Sequence, residues 1–125
     1  MGEIISVRCN ACTREWQCME GVGLLYGKKE NIINAFASHE RVAVAARMER
    51  SEIPAYDFSF RLAVCSHCQN VVSVPTLMVG EDEMYVGACP ACGKKTKRPI
   101  LELKRTACPV CKSRALLAEN RGSWD

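Results

Sequence analysis

A chain of 125 residues with 48% apolar and 25% charged side chains belongs to a folded protein, not a disordered one. No apolar run approaches the length of a bilayer span, and the opening MGEIISVRC lacks the basic segment and apolar stretch of a secretory signal. Aromatics are scarce at 6% and the formal net charge is only +3, so the expectation is a cytoplasmic protein of one ordinary domain or two very small ones.

Cysteine is the outlying residue type. Of nine cysteines, eight fall into four Cys-x-x-Cys doublets, Cys9/Cys12, Cys65/Cys68, Cys89/Cys92 and Cys108/Cys111, with Cys18 left over. Two thiols three positions apart in a tight turn can aim both sulfurs at one cation, which is half of a tetrahedral site. Eight paired thiols therefore supply two four-sulfur sites. A disulfide framework seldom repeats this doublet, and a reducing cytosol would not maintain one. A thioredoxin-like redox motif would occur once, beside a βαβ pattern.

In chain order, the first doublet sits in "IISVRCNACTREWQC", a tight turn between two extended stretches. Cys18 follows, a buried small hydrophobe or a competitor of Cys9 or Cys12 for metal. "MEGVGLLYGKK" has glycines near Lys28 and Lys29, but its spacing and the missing Ser or Thr after Lys do not make a phosphate loop. Residues 29 to 52 are rich in Ala, Glu, Arg and Met, with apolar residues at three-to-four spacing, and predict one helix from about Glu30 to Arg50. Ser51 and Pro54 would stop it. His39 falls on its surface or edge.

The second doublet, in "FRLAVCSHCQNVVSV", again joins two strands and carries His67 at the knuckle tip. His67 could donate to a thiolate or replace a ligand, or simply lie exposed. "SVPTLMVGEDEMYVGA", residues 73 to 88, reads as strand, acidic turn, strand. The third and fourth doublets, "CPACG" and "CPVC", follow. Gly93 directly after Cys92 suits a left-handed turn, whereas Thr13, Gln69 and Lys112 occupy that place in the other three.

Four doublets pair in three ways. Fifteen residues separate the last two, which favours sequential pairing: the first two doublets on one metal, the last two on the other. The division is then residues 1–80, a ribbon with a helical insert, and 81–125, a basic C-terminal ribbon. The competitor joins the second and third doublets across the hairpin and leaves the first and last to meet. The interleaved pairing comes last.

The knuckles resemble those of zinc ribbons and rubredoxins, small β folds that present two such turns to one metal. The order of a doublet, "GVGLLYG", a helix and three more doublets also resembles small uncharacterised bacterial double zinc-ribbon proteins. The resemblance covers the eight paired cysteines and their neighbours, and it implies fold and metal without implying a reaction. The expected fold is small α+β, two zinc-ribbon-like β units with a helix inserted at about 30–50. The expected cofactor is two zinc ions on Cys9, Cys12, Cys65, Cys68, Cys89, Cys92, Cys108 and Cys111, with iron, as in a rubredoxin-like electron carrier, as the alternative.

Four thiolates close a tetrahedral shell, whereas a catalytic zinc keeps one position open, usually beside His or carboxylate. The deaminase signature fails because Pro90 lies between Cys89 and Cys92 and no His-x-Glu lies upstream. The expectation is therefore no enzyme and no small-molecule substrate. Charge is strongly asymmetric: residues 1 to 93 balance to −3, while residues 94 to 114 carry eight Lys or Arg against Glu102 alone. Lys94, Lys95, Lys97, Arg98, Lys104, Arg105, Lys112 and Arg114 can meet a nucleic-acid backbone, or they can offset the anionic thiolate clusters. Aromatics for base stacking are nearly absent from that stretch. The partner is then nucleic acid, or a protein that uses the chain as a non-catalytic adaptor.

Overall fold

A computed structural model describes residues 2–49, 56–79, 83–95 and 99–124. Its strands are β1 (Gly2–Cys9), β2 (Glu15–Glu20), β3 (Tyr56–Cys65), β4 (Asn70–Val79), β5 (Glu83–Val86) and β6 (Leu116–Trp124). Two α-helices, α1 (Lys29–Ala35) and α2 (Arg41–Glu49), stand between β2 and β3. The strands form two antiparallel three-stranded sheets, in the orders β2-β1-β6 and β3-β4-β5. The class is small α+β, as the sequence implied. Each sheet combines strands from both sides of residue 80.

Period-two alternation builds the first sheet. Ile5, Val7 and Cys9 of β1 point inward and are buried, while Arg8 is exposed on the opposite face. β2 pairs with β1 in register Val7 to Trp16 and Ile5 to Cys18, placing Trp16 and Cys18 on the same inner face. β4 reads NVVSVPTLMV, nearly continuous apolar, because both of its faces are covered. Val71 and Leu62 join the core of Ile5, Val7, Trp16 and Leu116. Ala63, Val72 and Val74 pack around Cys65 and Cys89.

The sheets are locked where β2 meets β3 and β4. Gly21 and Phe60 exchange backbone hydrogen bonds of 2.9 and 2.7 Å. The Met19 N–H donates to Ser73 Oγ at 2.7 Å, and Trp16 Nε1 donates to Asn70 Oδ1 at 3.0 Å. Cys18, buried in the same core, lies with Sγ 3.6 Å from the Val71 carbonyl and takes no part in either four-cysteine group.

The single helix expected over 30–50 is corrected to two. The backbone turns extended at Phe36 (ψ 158°) and Ala37 (ψ 150°), then resumes through a short 3-10 turn at Ser38–Glu40. No Gly or Pro marks the break; tertiary contacts make it. Phe36 packs edge-on against Phe58 and Tyr85 at 6.0 and 5.6 Å between ring centres. Glu40 is buried, and its carboxylate accepts from Tyr85 Oη and from the Ala88 N–H, each at 2.9 Å. The Arg41 guanidinium donates to the Phe36 and Asn34 carbonyls at 3.1 and 3.3 Å, closing the end of α1. Such contacts outweigh propensity differences of under about 1 kcal/mol per residue. The stop signals Ser51 and Pro54 lie outside the described residues.

The hairpin read in 73–88 is present as β4 and β5, with Val79 opposite Glu83; its turn residues 80–82 lie outside the described residues. Among the described residues, no helix is long and apolar enough to cross a membrane.

Candidate metal centres

Every doublet forms the same knuckle. The residue after the second cysteine is left-handed in all four, with φ of 63° at Thr13, 58° at Gln69, 77° at Gly93 and 67° at Lys112. The N–H of Thr13, Gly93 and Lys112 donates to the carbonyl of the first cysteine of its own doublet at 2.8 to 2.9 Å. The first cysteine's own N–H donates forward to the carbonyl of Arg14, Lys94 or Ser113. In the second doublet, Cys65 and Asn70 face each other in the β3–β4 register. The chain thereby reverses, and the backbone N–H groups inside the turn point at the sulfurs.

The doublets pair in a nested manner. Cys9, Cys12, Cys108 and Cys111 form one group; Cys65, Cys68, Cys89 and Cys92 form the other; within each, all four sulfurs lie within 4.8 Å of one another. Sequential pairing is thereby corrected. Its physical cause is the first sheet, in which β6 runs antiparallel beside β1 with Leu116 opposite Cys9, carrying the fourth knuckle to the first. The second and third knuckles meet because β5 folds back on β4 and the chain leaves it beside Cys65. Farther along, Pro99 bridges Ala63 at the edge of β3, and the Ile100 N–H donates to the Leu62 carbonyl at 2.7 Å.

Sulfur spacing is that of a coordination shell. Cys9 to Cys111 and Cys65 to Cys92 are 3.6 Å apart, and Cys12 to Cys108 and Cys68 to Cys89 are 3.7 Å apart. A disulfide would need about 2.05 Å, and all nine cysteines are free thiols. A tetrahedron with metal–sulfur bonds of about 2.3 Å has sulfur–sulfur edges of about 3.8 Å, so both groups can hold a metal ion. In each doublet the first cysteine is buried; Cys92 and Cys111 reach the surface.

Hydrogen bonds to sulfur prepare the sites for ionisation. The Cys12 N–H holds the Cys9 thiol down at about 6, against desolvation. At Cys65 desolvation acts upward, but N–H groups from Cys68 and His67 bring the thiol to about 7. Partners within each site move oppositely. Although the Arg14 N–H acts to lower Cys12, desolvation and the surrounding thiols push it up to about 11. Burial pushes Cys89 up to about 12. The Ser113 hydroxyl also holds the Cys111 thiol down, and an entering cation displaces the protons that remain in each site.

Side chains contribute as well. Ser113 Oγ is 3.0 Å from Cys111 Sγ and 3.7 Å from Cys9 Sγ. Asn70 Nδ2 donates to Cys68 Sγ at 3.3 Å. Both partners sit two residues after the second cysteine of a doublet, a position held by Arg14 and Lys94 in the other two knuckles. The sequence reading overlooked Asn70 and Ser113, although a polar residue at that fixed offset was a visible signal. His67 lies exposed at its knuckle tip, and His39 is exposed on the 3-10 turn; neither belongs to a four-cysteine group.

Nested pairing divides the basic residues. Lys94 and Lys95 leave the third knuckle at one site, and Lys112 and Arg114 follow the fourth knuckle at the other, with Lys104 and Arg105 on the segment between; all six are exposed. Lys97 and Arg98 lie outside the described residues. Several are locally engaged: Arg105 pairs with Glu102 at 3.0 Å, and Lys112 Nζ donates to the Pro109 carbonyl at 3.0 Å. Lys95 Nζ and the Arg47 guanidinium each lie over the Tyr85 ring, at 4.9 and 5.0 Å from its centre. No protein family, curated protein or solved structure matches this chain.

Proposed function

We propose that this chain is a zinc-built scaffold with two structural four-cysteine sites and no catalytic role, which offers a basic surface to the phosphates of nucleic acid. The observation that carries the metal half is the pair of sulfur groups with edges of 3.6 to 3.7 Å, which match a tetrahedral thiolate shell. Four thiolates complete that shell and leave no position for substrate. A divalent ion among them keeps a net double negative charge, which the N–H donors and neighbouring cations offset. Zinc fits a redox-inert structural role; iron would take the same four sulfurs.

The basic half rests on six exposed cations strung from one site to the other. Tyr85 is already covered by two cations, so the support is for backbone contact and not for base stacking. Metal analysis of the purified protein should give two zinc ions per chain, and iron in their place would overturn the assignment. Fluorescence anisotropy with single-stranded, duplex and structured RNA at two salt concentrations should show affinity that falls steeply with salt. No binding at low salt removes the nucleic-acid half.

A second reading, a protein-binding adaptor, is favoured by one feature. Leu101 is 92% exposed and with Val64, Pro99 and Ile100 forms the apolar part of a groove of about 880 Å³ that Ser66, Glu102, Arg105 and Thr106 complete; exposed apolar surface with a polar rim is typical of interaction sites. A stoichiometric partner that survives nuclease treatment and is lost on Leu101→Asp would support it.

A further inference from the structure

We propose that Asn70 is a positioning residue for the site of Cys65, Cys68, Cys89 and Cys92, held in its working orientation by Trp16 of the opposite sheet, so that one amide couples the two metal sites. The inference rests on the metal reading above and deepens it.

The chemistry of the two contacts fixes the amide. A thiolate can only accept a hydrogen bond and an indole N–H can only donate one. Asn70 meets both demands at once: Nδ2 donates to Cys68 Sγ at 3.3 Å, and Oδ1 accepts from Trp16 Nε1 at 3.0 Å. Rotating the amide would place oxygen against sulfur and N–H against N–H, so the indole holds the donor toward the metal site. Trp16 is itself fixed. It is 9% exposed and belongs to the buried cluster that contains Cys9 and Cys108 of the other site. It lies on β2 opposite Val7, two residues beyond Arg14, whose carbonyl receives the Cys9 N–H.

The two sites differ in this respect. The hydroxyl that serves Cys111 comes from Ser113 of the same knuckle, an exposed contact two residues apart, and lies 3.7 Å from Cys9 across the site. The amide that serves Cys68 is oriented from across the sheet interface. A donor to a metal-bound thiolate favours the charged ligand and directs its lone pairs. Ion binding at the second site therefore tightens the Asn70 bond, draws on Trp16, and favours the packing in which the first site is assembled. Disorder at the first site releases the indole and loosens the amide in turn.

The test uses the full chain loaded with cadmium-113 in place of zinc, with proton correlations assigning each cadmium resonance to its own cysteines. Asn70→Asp preserves shape and the acceptor for Trp16, but puts a carboxylate where the donor stood. Trp16→Phe keeps a ring and removes the N–H. Both variants should shift the resonance of the Cys65 site and raise its loss to EDTA by about tenfold or more, with Asn70→Asp the more severe. In Asn70→Asp the resonance of the Cys9 site should stay in place, while its loss to EDTA rises by a smaller factor than at the Cys65 site. Wild-type retention at the Cys65 site in Asn70→Asp, or equal weakening of both sites, would overturn the proposal. Where Trp16→Phe disturbs the core, the isosteric Asn70→Asp decides. Absence of any cadmium resonance in the wild type would overturn the metal reading itself, and this proposal with it.

Discussion

Thr13, Gln69 and Lys112 hold a left-handed backbone without the freedom of glycine. The conformation costs an L-residue about 1–2 kcal/mol, and a β-branched one suffers most. The knuckle imposes it because only that reversal directs the turn's N–H groups at the thiols. Thr13→Gly should raise the stability of the metal-loaded protein by up to about 1 kcal/mol, since relief of strain exceeds the entropy that glycine adds to the unfolded chain. Gly93→Thr should cost about 1–2 kcal/mol through backbone strain, because a Cβ there would meet no atom within 4 Å. Thermal melts at fixed zinc concentration check both. From the sequence, Gly93 was readable as a left-handed position and the other three were not, because the signal lies in the turn and not in the residue type. Tyr85 supplies a pH dependence. Burial, and then the Glu40 carboxylate that accepts its hydroxyl, push its phenol up to about 12. The folded state thus favours the neutral phenol, and its contribution is complete below the ordinary value of 10.0 and is lost as pH rises from there through about 12. Tyr85→Phe should flatten that slope in chemical denaturation, while costing about 1–3 kcal/mol at neutral pH by taking a donor from buried Glu40.

At the scale of elements, the break between α1 and α2 is fastened by one residue. Arg41 begins α2 and donates to two carbonyls near the end of α1, groups that a helix end otherwise leaves to water. Arg41→Ala should destabilise by about 1 kcal/mol, and hydrogen exchange should quicken first in residues 29–36. Periodicity in 29–52 correctly marked helical chain there. It could not show the break, because Phe36 and Glu40 are answered by Phe58, Tyr85 and Ala88, residues remote in sequence. The hairpin was legible, and so is its end. Pro75 lies in the central strand β4, and the Gly87 N–H donates to its carbonyl at 2.8 Å. The nitrogen on that same side has no hydrogen to return, so the ladder stops and β5 finishes at Val86. A Cβ on Gly87 would also press on Pro75 and Phe36, which is why the chain can approach so closely there.

At the scale of the molecule, spacing did not decide which doublets meet. Intervals of fifteen and twenty residues both suit a four-cysteine site, and the choice came from β6 lying beside β1, a pairing more than a hundred residues apart in sequence. Paired substitutions test it directly. Cys12→Ser and Cys108→Ser, singly or together, should each remove the same single ion, whereas Cys12→Ser with Cys65→Ser should remove both; native mass spectrometry counts the ions. Were the doublets paired sequentially, Cys12 and Cys65 would share one ion and their double variant would keep the other. Structural zinc contributes on the order of 10–16 kcal/mol in small finger peptides, as much as the whole net stability of about 5–15 kcal/mol of an ordinary domain. Excess chelator should therefore collapse amide dispersion, and its retention after complete metal removal would contradict a metal-built fold.

Concentric closure sets a timetable for synthesis. Cys9 and Cys12 leave the ribosome about a hundred residues ahead of their partners Cys108 and Cys111. At about 5–20 residues per second the earliest thiols wait some 5–20 s unmated. The inner ring can shut as soon as Cys92 emerges, while the outer clasp must stay open until Cys111 follows. A nascent chain of this kind leaves the thiols of Cys9 and Cys12 open to oxidants far longer than those of Cys65 and Cys68.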